Sequence, residues 1–423
     1  MTKSVCFLCA VSFVVLVVSC ASNNEPIIDQ LTIPERVEPG GRVEFQVTAH
    51  DDDGDVLIYT WTVDGTPLDS PTSMAEWTAS AVEGTVTVEV RVSDGENDPV
   101  IQERSVAVAK PPIEVPPDIP IEVPEIVPAV DLAKHSVPLD QVYFDTFQAP
   151  NRAVPLSEAS PALIERLRDA IPPIHAPRYE TAAEATWLSP KDIVLGYAAG
   201  GQAWAYPVRI LNFHEIVNDT LAAEPVLISY CPLCFSGIVF SRRLRNRTLT
   251  FGNTSALYES DMVMLDYHTG SYWWQVAGQA IVGTLTGEAL TLLPSIMTTW
   301  DEWQRLYPGT FVLSRDTGFR RNYDRDIFVG YAEAVDEGQF AFPVSDAGRD
   351  LRLSPATKVL AVKIGNDVWA YPMAKLGRAA IMDTLGGENL VVFTDPDGPT
   401  GAAYQPIAGH KRLTFALVFH RRR

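Results

Sequence analysis

Two cysteines near the middle of the chain carry its clearest chemical potential. Cys231 and Cys234 are separated by Pro232 and Leu233, while the other three of the five cysteines fall within the first twenty residues. Two thiolates at this spacing can bind a soft metal ion or close into a disulfide. A disulfide across so short a loop constrains the unfolded chain very little, so it would stabilise the fold weakly. The pair is therefore a candidate metal or redox site.

The residues around the thiols predict a strand, a tight turn and a second strand. The first strand is the apolar run 225–230, and the second is Gly237-Ile238-Val239-Phe240. A thioredoxin-type pair would instead open a long helix, whose N-terminus lowers the pKa of the first thiol. The turn resembles the knuckle with which rubredoxin-like and zinc-ribbon sites direct two sulfurs at one ion.

A four-coordinate metal site needs two further ligands. The first candidate is His214, on a helix predicted to begin after Pro207. The second is an oxygen or nitrogen atom from the loop 266–271, which includes His268. Thiolates combined with imidazole suit zinc or copper. A helical histidine is also often a hydrogen-bonded core residue, and that alternative stays open.

The C-terminal part of the chain contains an internal duplication. Repeat one covers about residues 190–300, and repeat two covers about residues 355–423 and ends early, as a truncated copy would. The recurring strings are Trp204-Ala205-Tyr206-Pro207 with Trp369-Ala370-Tyr371-Pro372, and Asp219-Thr220-Leu221 with Asp383-Thr384-Leu385. At the same offset Cys231 faces Asp395, and His214 faces no histidine. Shared residues are simplest to interpret as scaffold, so we expect the chemistry at residues that repeat one has alone.

Six residues around the thiols are candidates for the wall of a pocket. They are Tyr206, Glu215, Asp266, Thr269, Ser271 and Trp273. The alternative is that the aromatic residues belong to the core and that the residues between 266 and 271 form a turn.

Residues 25–110 predict a small immunoglobulin-like β-sandwich. Apolar and polar residues alternate in the segments 43–47, 57–63 and 86–92, between turn-forming Asp-Gly pairs. The strings at 51–55 and 59–65 are similar to PKD or cadherin-like modules of bacterial surface proteins. The acidic loop makes Asp51, Asp53 and Asp55 candidate calcium ligands, with a solvated turn as the alternative.

The first twenty residues predict export. Lys3 precedes an apolar stretch at 6–18 that is short for a membrane span. Val17-Val18-Ser19-Cys20 resembles a bacterial lipobox, which implies a lipoprotein-type signal peptide over residues 1–20 and lipidation of Cys20. Ala21, where aspartate would retain an enteric lipoprotein at the inner membrane, favours the outer membrane. An ordinary signal peptide or membrane anchor is the alternative.

Proline and charge define the region between the two predicted domains. Residues 111–130 are proline-rich and predict an extended linker, because proline fixes φ and lacks a donor. The net charge of the chain is −20, and residues 25–131 hold 23 acidic and 5 basic residues. Such a surface disfavours nucleic acid and anionic membranes as partners. The expected membrane contact is therefore the lipid on Cys20.

The C-terminal part resembles the bacterial domain-of-unknown-function family 3179 over about residues 171–415. The resemblance rests on Ala205-Tyr206-Pro207, on the string from Leu211 to Asp219, on Tyr230-Cys231-Pro232-Leu233-Cys234 and on the string from Asp266 to Trp273. Phe213 stands where that family is expected to carry tryptophan. The resemblance implies no activity.

Taken together, these patterns predict a mainly β protein with short helices. It comprises an immunoglobulin-like β-sandwich, a linker and a β-rich domain of two degenerate repeats at 131–423. The favoured function is an envelope-anchored domain that binds zinc or copper, in redox chemistry or metal handling. A thiol–disulfide oxidoreductase and a non-catalytic surface-binding module with a structural disulfide are the alternatives.

Overall fold

The computed structural model describes residues 23–109, 121–148, 152–345, 351–365, 367–395, 398–408, 411–413 and 415. By internal contacts the chain divides into two compact units, Met1–Pro112 and Ile113–Arg423. The predicted signal peptide with Cys20, residues 111–120 of the predicted linker and the tail 416–423 lie outside the described residues. Within the described ranges, no helix has the length and apolar character needed to cross a membrane.

The first unit is a β-sandwich, as its alternating pattern predicts. Its strands are β1 (Ile27–Thr32), β2 (Arg36–Val37), β3 (Arg42–His50), β4 (Ile58–Val63), β5 (Thr66–Pro67), β6 (Met74–Thr78), β7 (Gly84–Ser93) and β8 (Val100–Val108). One sheet has the order β1-β3-β6, and the other has the order β2-β8-β7-β4-β5. Alternate side chains, including Phe45, Trp61 and Val90, are removed from water in one core cluster.

The acidic loop of this unit forms a side-chain-stabilised turn. The Asp51 carboxylate accepts hydrogen bonds from the backbone amides of Asp53 at 2.8 Å and Asp55 at 3.4 Å. The Asp53 carboxylate accepts from the backbone and side-chain amides of Asn24 at 2.7 and 2.9 Å. Among the residues described, these three carboxylates do not form a group with metal-ligand spacing. Calcium binding here stays a prediction from the sequence.

The second unit is also mainly β. Its first part contains β9 (Val142–Asp145), β10 (Ala153–Pro155), β11 (Tyr179–Thr181), β12 (Ile193–Ala199), β13 (Gln202–Pro207), β14 (Ile216–Leu221), β15 (Glu224–Cys231), β16 (Ser236–Ser241), β17 (Arg243–Leu244), β18 (Arg247–Thr248), β19 (Phe251–Tyr258), β20 (Asp261–Asp266), β21 (Tyr272–Trp274), β22 (Gln279–Val282), β23 (Leu292–Leu293), β24 (Ser295–Thr299) and β25 (Phe311–Leu313). Its second part contains β26 (Val359–Ile364), β27 (Asp367–Pro372), β28 (Ala379–Leu385), β29 (Glu388–Asp395), β30 (Thr400–Tyr404), β31 (Ile407–Ala408) and β32 (Lys411–Arg412).

The helices of the second unit are short. They are α1 (Pro161–Leu167), α2 (Val208–His214), α3 (Trp300–Leu306), α4 (Tyr331–Asp336) and α5 (Met373–Leu376), with 3₁₀ turns at Leu139–Gln141 and Leu156–Glu158. The larger sheets have the orders β10-β9-β19-β20-β21-β22, β11-β25-β13-β12-β24 and β14-β15-β16-β23. The predicted mainly β fold is therefore confirmed in both units.

The two predicted repeats contain corresponding elements in the same order. In each repeat a hairpin leads into a short helix, a three-stranded meander and a small second hairpin, so that β12 to β18 with α2 correspond to β26 to β32 with α5. The registers also correspond, since Val194 pairs with Pro207 and Val359 pairs with Pro372. A buried contact recurs as well: the Tyr206 hydroxyl donates to Asp219 and the Tyr371 hydroxyl donates to Asp383, both at 2.9 Å.

Residues 121–130, the described half of the predicted linker, are in contact with the rest of the second unit. The Ile121 amide donates to the carbonyl of His175 at 2.7 Å, and the Thr250 hydroxyl donates to the carbonyl of Glu122 at 3.1 Å. Val127 packs against a core cluster of the second unit. The apolar residues between the prolines explain the difference from the predicted stalk, because their burial against the second unit is favourable.

The two sheets that contain β15 and β20 share one buried cluster. Leu227 and Phe240 come from the first sheet, and Met264 and Trp273 come from the second. Cys231 belongs to the same cluster. The end of β15 and the start of β20, which are far apart in the sequence, are thereby brought together.

Candidate metal centre

The thiols lie in the strand, turn and strand that the sequence predicts. Strand β15 ends at Cys231, which pairs with Ser236 at the start of β16. The intervening turn includes Phe235, whose φ of 53° is in the left-handed region. Cys231 is buried, whereas Cys234 is exposed to solvent. Both thiols are free, and neither opens a helix of the kind that a thioredoxin-type pair requires.

Asp261 completes a group of three metal-type ligands with the two cysteines. One carboxylate oxygen and the two sulfurs all lie within 4.8 Å of one another. The Cys234 thiol donates to Asp261 Oδ1 over 2.9 Å. Asp261 is in place because a tight turn through Glu259 and Ser260, with φ of 52° and 58°, returns the chain from β19 into β20. These three side chains could hold a metal ion.

A second layer of polar groups supports this cluster. The Ser236 hydroxyl lies 2.9 Å from Cys234 Sγ and donates to Gln275 Oε1 at 2.8 Å. The Val276 amide donates to Asp261 Oδ2 at 3.1 Å. Gln275 is fully buried, so its amide fixes the position of Ser236 in a water-poor environment. Outer groups of this kind orient metal ligands.

The electrostatics of the cluster favour a cation. Burial raises the pKa of the Asp261 carboxyl to about 6. Burial also raises the pKa of the Cys231 thiol, with a smaller upward contribution from Asp261. The hydrogen bond to Cys231 is the main cause that raises the pKa of the Cys234 thiol well above its usual value, followed by burial. Burial contributes to the raised pKa of all three groups, and a bound cation would stabilise their ionised forms.

A cavity of about 280 Å³ reaches the Cys231 side of the cluster. Its wall also contains Glu215 and Asn253, and the Asn253 amide donates to Glu215 Oε2 at 2.6 Å. Burial raises the pKa of Glu215 to about 8, and the charges of Asp261 and Asp145 add to the shift. Glu215 is therefore mostly protonated near neutral pH and can donate a hydrogen bond into the cavity.

Glu215 occupies a backbone position that suits glycine better. It caps the end of α2 with a φ of 59°, and its carbonyl accepts a hydrogen bond from the Tyr230 amide at 2.8 Å. In repeat two the residue that caps α5 is Gly377, with a φ of 64°. A side chain in this region is strained relative to glycine. Repeat one therefore has a glutamate where the scaffold does not require one.

His214 lies outside the cysteine cluster. Its Nδ1 donates to the carbonyl of Pro172 at 2.8 Å, and its Nε2 accepts from the Tyr323 hydroxyl at 2.7 Å. Both ring nitrogens are thus engaged, and the group with metal-ligand spacing among the described residues does not include this imidazole. Burial lowers the pKa of His214 to about 4, so the ring is neutral. The structure matches the core alternative, and Asp261 stands beside the cysteines instead of His214.

The other predicted pocket residues do not line this cavity, although Trp273 shares a buried cluster with Cys231. Tyr206 is buried and shares a hydrogen-bond network with Tyr179 and Asp219. Asp266 accepts from the Thr269 amide at 2.7 Å and from the indole of Trp273 at 3.0 Å. Ser271 belongs to the same buried turn, and none of these residues except Glu215 lines the cavity at Cys231. Each of these polar side chains has a hydrogen-bond partner within the second unit, as is usual for buried polar residues.

Sequence reasoning missed Asp261, Asn253 and Gln275. It expected an oxygen ligand from the loop after β20, at residues 266–271, whereas the carboxylate that meets the thiols is at the opposite end of the same strand. Five residue steps along a strand separate the two ends by roughly 17 Å. A charged residue that opens an otherwise apolar strand, as in Asp261-Met262-Val263-Met264-Leu265, was the available signal.

The structure thus defines a class: a duplicated β-rich domain with a Cys-Cys-Asp cluster in one of its two repeats. The family model described as "Protein of unknown function (DUF3179)" matches residues 168–423, more than half of the chain. The chain belongs to this family, in agreement with the motifs around the cysteines. No curated protein shows significant similarity to it.

Solved structures give only distant similarities. The PKD domain of an M14-like peptidase from Thermoplasmatales archaeon SCGC AB-540-F20 is 21% identical over 21% of this chain and 100% of its own, with a TM-score of 0.19. SGBP-B of the mixed-linkage glucan utilization locus of Bacteroides ovatus is 13% identical over 65% of this chain and 48% of its own, with a TM-score of 0.18. A quinonprotein alcohol dehydrogenase-like protein from Bacteroides thetaiotaomicron is 9% identical over 92% and 74%, with a TM-score of 0.16. At these TM-scores the similarities carry no argument about function.

Proposed function

We propose that the second unit binds one zinc ion through Cys231, Cys234 and Asp261 and keeps a fourth coordination position open. The observation that carries this proposal is the spacing of the three ligand atoms, all within 4.8 Å of one another. Around tetrahedral zinc, with bonds of about 2.0–2.3 Å, ligand atoms stand roughly 3.3–3.8 Å apart. Side-chain rotations that draw in the more distant atoms and move Cys234 Sγ and Asp261 Oδ1 slightly apart from their 2.9 Å separation would bring the three atoms to an ion.

The chemistry of the ligands supports zinc over copper. Two thiolates suit both zinc and Cu(I), but a carboxylate oxygen is a hard ligand that Cu(I) disfavours and zinc accepts. Three protein ligands with one open position are typical of zinc sites that bind a further molecule. The function proposed is therefore ligand binding or catalysis at a zinc ion. Copper handling by the same residues is the less favoured alternative.

The duplication gives independent support to a function at this place. In repeat two Asp395 stands at the position of Cys231 and forms an ion pair with Arg378 over 3.0 Å. The same scaffold therefore folds without the cysteine pair. Residues that the scaffold does not need and that cluster in space are candidates for chemistry.

The thiol–disulfide oxidoreductase is the less favoured reading of the same cysteines. A reactive thiol is normally acidified by a helix N-terminus or a neighbouring cation. Here the pair lies between two strands, a carboxylate touches one thiol, and the pKa of each thiol is raised. These surroundings suppress the thiolate until a cation is bound.

Cobalt titration of the reduced, metal-free chain tests the metal site. We expect Co²⁺ to produce the intense thiolate-to-cobalt absorption, and we expect Cys231→Ser and Cys234→Ser each to lower the affinity by at least about 100-fold, because loss of a ligand exceeds the effect of losing an outer partner. Asp395→Asn, at the matching position of repeat two, is the control and should bind cobalt normally. A chain without the absorption, or one that keeps it in both serine variants, would refute the proposal.

We also propose that the protein is a lipoprotein of the cell envelope, anchored through Cys20 and placed at the outer membrane. The support is the sequence Val17-Val18-Ser19-Cys20 after an apolar stretch. Cys20→Ser is expected to abolish incorporation of a labelled fatty acid into the expressed chain. Cys9→Ser, within the apolar stretch, is the control and should retain the label. Label that persists in Cys20→Ser would show that the lipid is attached elsewhere, and a parent chain without label would show that it carries no lipid.

A further inference from the structure

The proposed metal site does not account for the cavity beside the cysteine cluster. Cys231 belongs to both, because its side chain lines the cavity and its sulfur is one of the three candidate ligand atoms. A molecule in the cavity would therefore lie beside Cys231, although Cys234 and Asp261 do not line the cavity. The volume of about 280 Å³ is just below the ~300 Å³ at which drug-sized sites begin, so a ligand on the order of ten non-hydrogen atoms fits.

Two arginines line the cavity, and only one of them is available to a ligand. Arg152 is neutralised by Asp145, which accepts from its Nη2 at 2.7 Å and from its Nε at 3.1 Å. The Arg321 side chain donates only to the carbonyl of Arg320, at 3.3 Å. Within the described part of the chain, no carboxylate pairs with Arg321. An unpaired guanidinium at a cavity wall is a ready site for a carboxylate, which it can bind through two hydrogen bonds.

The remaining wall is divided between apolar and polar groups. Apolar side chains form most of it, among them Phe213, Leu233, Met262, Ile327 and Phe328. Besides the two arginines and Asp145, the polar residues of the wall are Asn212, Glu215, Asn253 and Ser255, and the Asn253 amide donates to the Glu215 carboxyl. Small-molecule sites commonly combine an apolar wall with a few fixed polar groups.

We propose that this cavity is the substrate site of the metal centre and that it takes a small organic carboxylate with a short apolar body. The carboxylate pairs with Arg321, the body lies against the apolar wall, and the other end faces Glu215 and the Cys231 sulfur. Glu215 is a positioning residue in this arrangement, since it can donate a hydrogen bond to a polar group of the ligand. The assignment of the cavity as the substrate site of a metal centre rests on the proposed zinc site.

Phenylacetate and its neutral isostere phenylacetamide form a matched pair of probes of the right size. We expect phenylacetate to bind the full chain, as detected by saturation-transfer NMR, and to change the visible spectrum of the cobalt-loaded protein. Arg321→Gln should weaken phenylacetate binding about fivefold and leave phenylacetamide binding within about twofold, because only the charged pair is lost. Arg320→Gln is the matched control: it removes the same charge from the adjacent residue, and it should change neither affinity.

The possible results separate this inference from the zinc proposal. Normal cobalt binding with phenylacetate binding that is absent, or unaffected by Arg321→Gln, would overturn the substrate site and leave the metal site standing. Failure to bind cobalt, with phenylacetate binding that still depends on Arg321, would overturn the zinc proposal and with it the assignment of the cavity to a metal centre. Cobalt binding that phenylacetate perturbs only when Arg321 is present supports both.

Discussion

Replacement of Asp261 by asparagine is expected to lower the affinity of the chain for zinc by about 100-fold, whereas His214→Gln is expected to leave it within about twofold. The carboxylate contributes a charged ligand atom within 4.8 Å of both sulfurs. Both nitrogens of the His214 imidazole are instead hydrogen-bonded, one to the Pro172 carbonyl and the other to the Tyr323 hydroxyl. The two substitutions therefore distinguish the ligand set proposed from the structure from the one that the sequence suggested.

Competition with a chromophoric zinc chelator measures both affinities on the same scale. Asp261→Cys is the informative companion variant, because a third thiolate should restore zinc binding and strengthen the cobalt–thiolate absorption. Circular dichroism of each variant separates loss of the ligand from loss of the fold. If His214→Gln lost zinc and Asp261→Asn kept it, the ligand set proposed above would be wrong.

The second large effect concerns the pH dependence of stability. Glu215 has a pKa of about 8 in the folded chain, against 4.5 for an ordinary glutamate. Below about pH 4.5 both the folded and the unfolded chain bind this proton, so the residue contributes no pH dependence. Between about 4.5 and 8 the unfolded chain releases the proton and the folded chain keeps it, so the free energy of unfolding falls as the pH rises. Above about pH 8 the loss is complete.

Glu215→Gln removes this penalty while it retains the shape of the side chain. The variant should therefore gain stability relative to the parent chain from about pH 5 to about pH 9, by on the order of a few kcal/mol. Asp145 and Asp261 raise the pKa of Glu215, and Arg321 lines the same cavity. Those groups are present in both chains, and their coupling to Glu215 is part of the measured difference.

Denaturant unfolding in the presence of a chelator, at several pH values, gives the difference between the two chains. Glu388→Gln replaces an exposed carboxyl of the same unit and serves as the control, with a difference that stays flat. A Glu215→Gln curve parallel to that of the parent chain would mean that the carboxyl is hydrated in the folded state. The expected gain in stability would instead show that the Glu215 carboxyl destabilises the folded chain. Functional residues often destabilise the fold in this way.

The local features of the cysteine site could be predicted because they depend on neighbouring residues. A hairpin is predicted by the apolar run before Cys231, the proline in the turn and the β-branched run after Gly237. The structure has a hairpin at this place. The duplication could be predicted for a similar reason, because strings such as Trp-Ala-Tyr-Pro recur in the same order. The hairpins that contain them have equivalent strand registers in the structure. The sandwich of the first unit followed from the alternation of apolar and polar residues.

The identity of the third candidate ligand and the position of His214 depend on how the sheets pack, and local sequence patterns do not contain this information. Asp261 meets the thiols because β20 and β15, in different sheets, bury their apolar faces in one cluster. His214 turns away because Pro172 and Tyr323, distant in sequence, satisfy both of its nitrogens. The sequence by itself determined the sulfur pair and the hairpin that presents it. Only the tertiary structure decided which oxygen joins that pair and which cavity opens beside it, because both arise from contacts between elements that lie far apart along the chain.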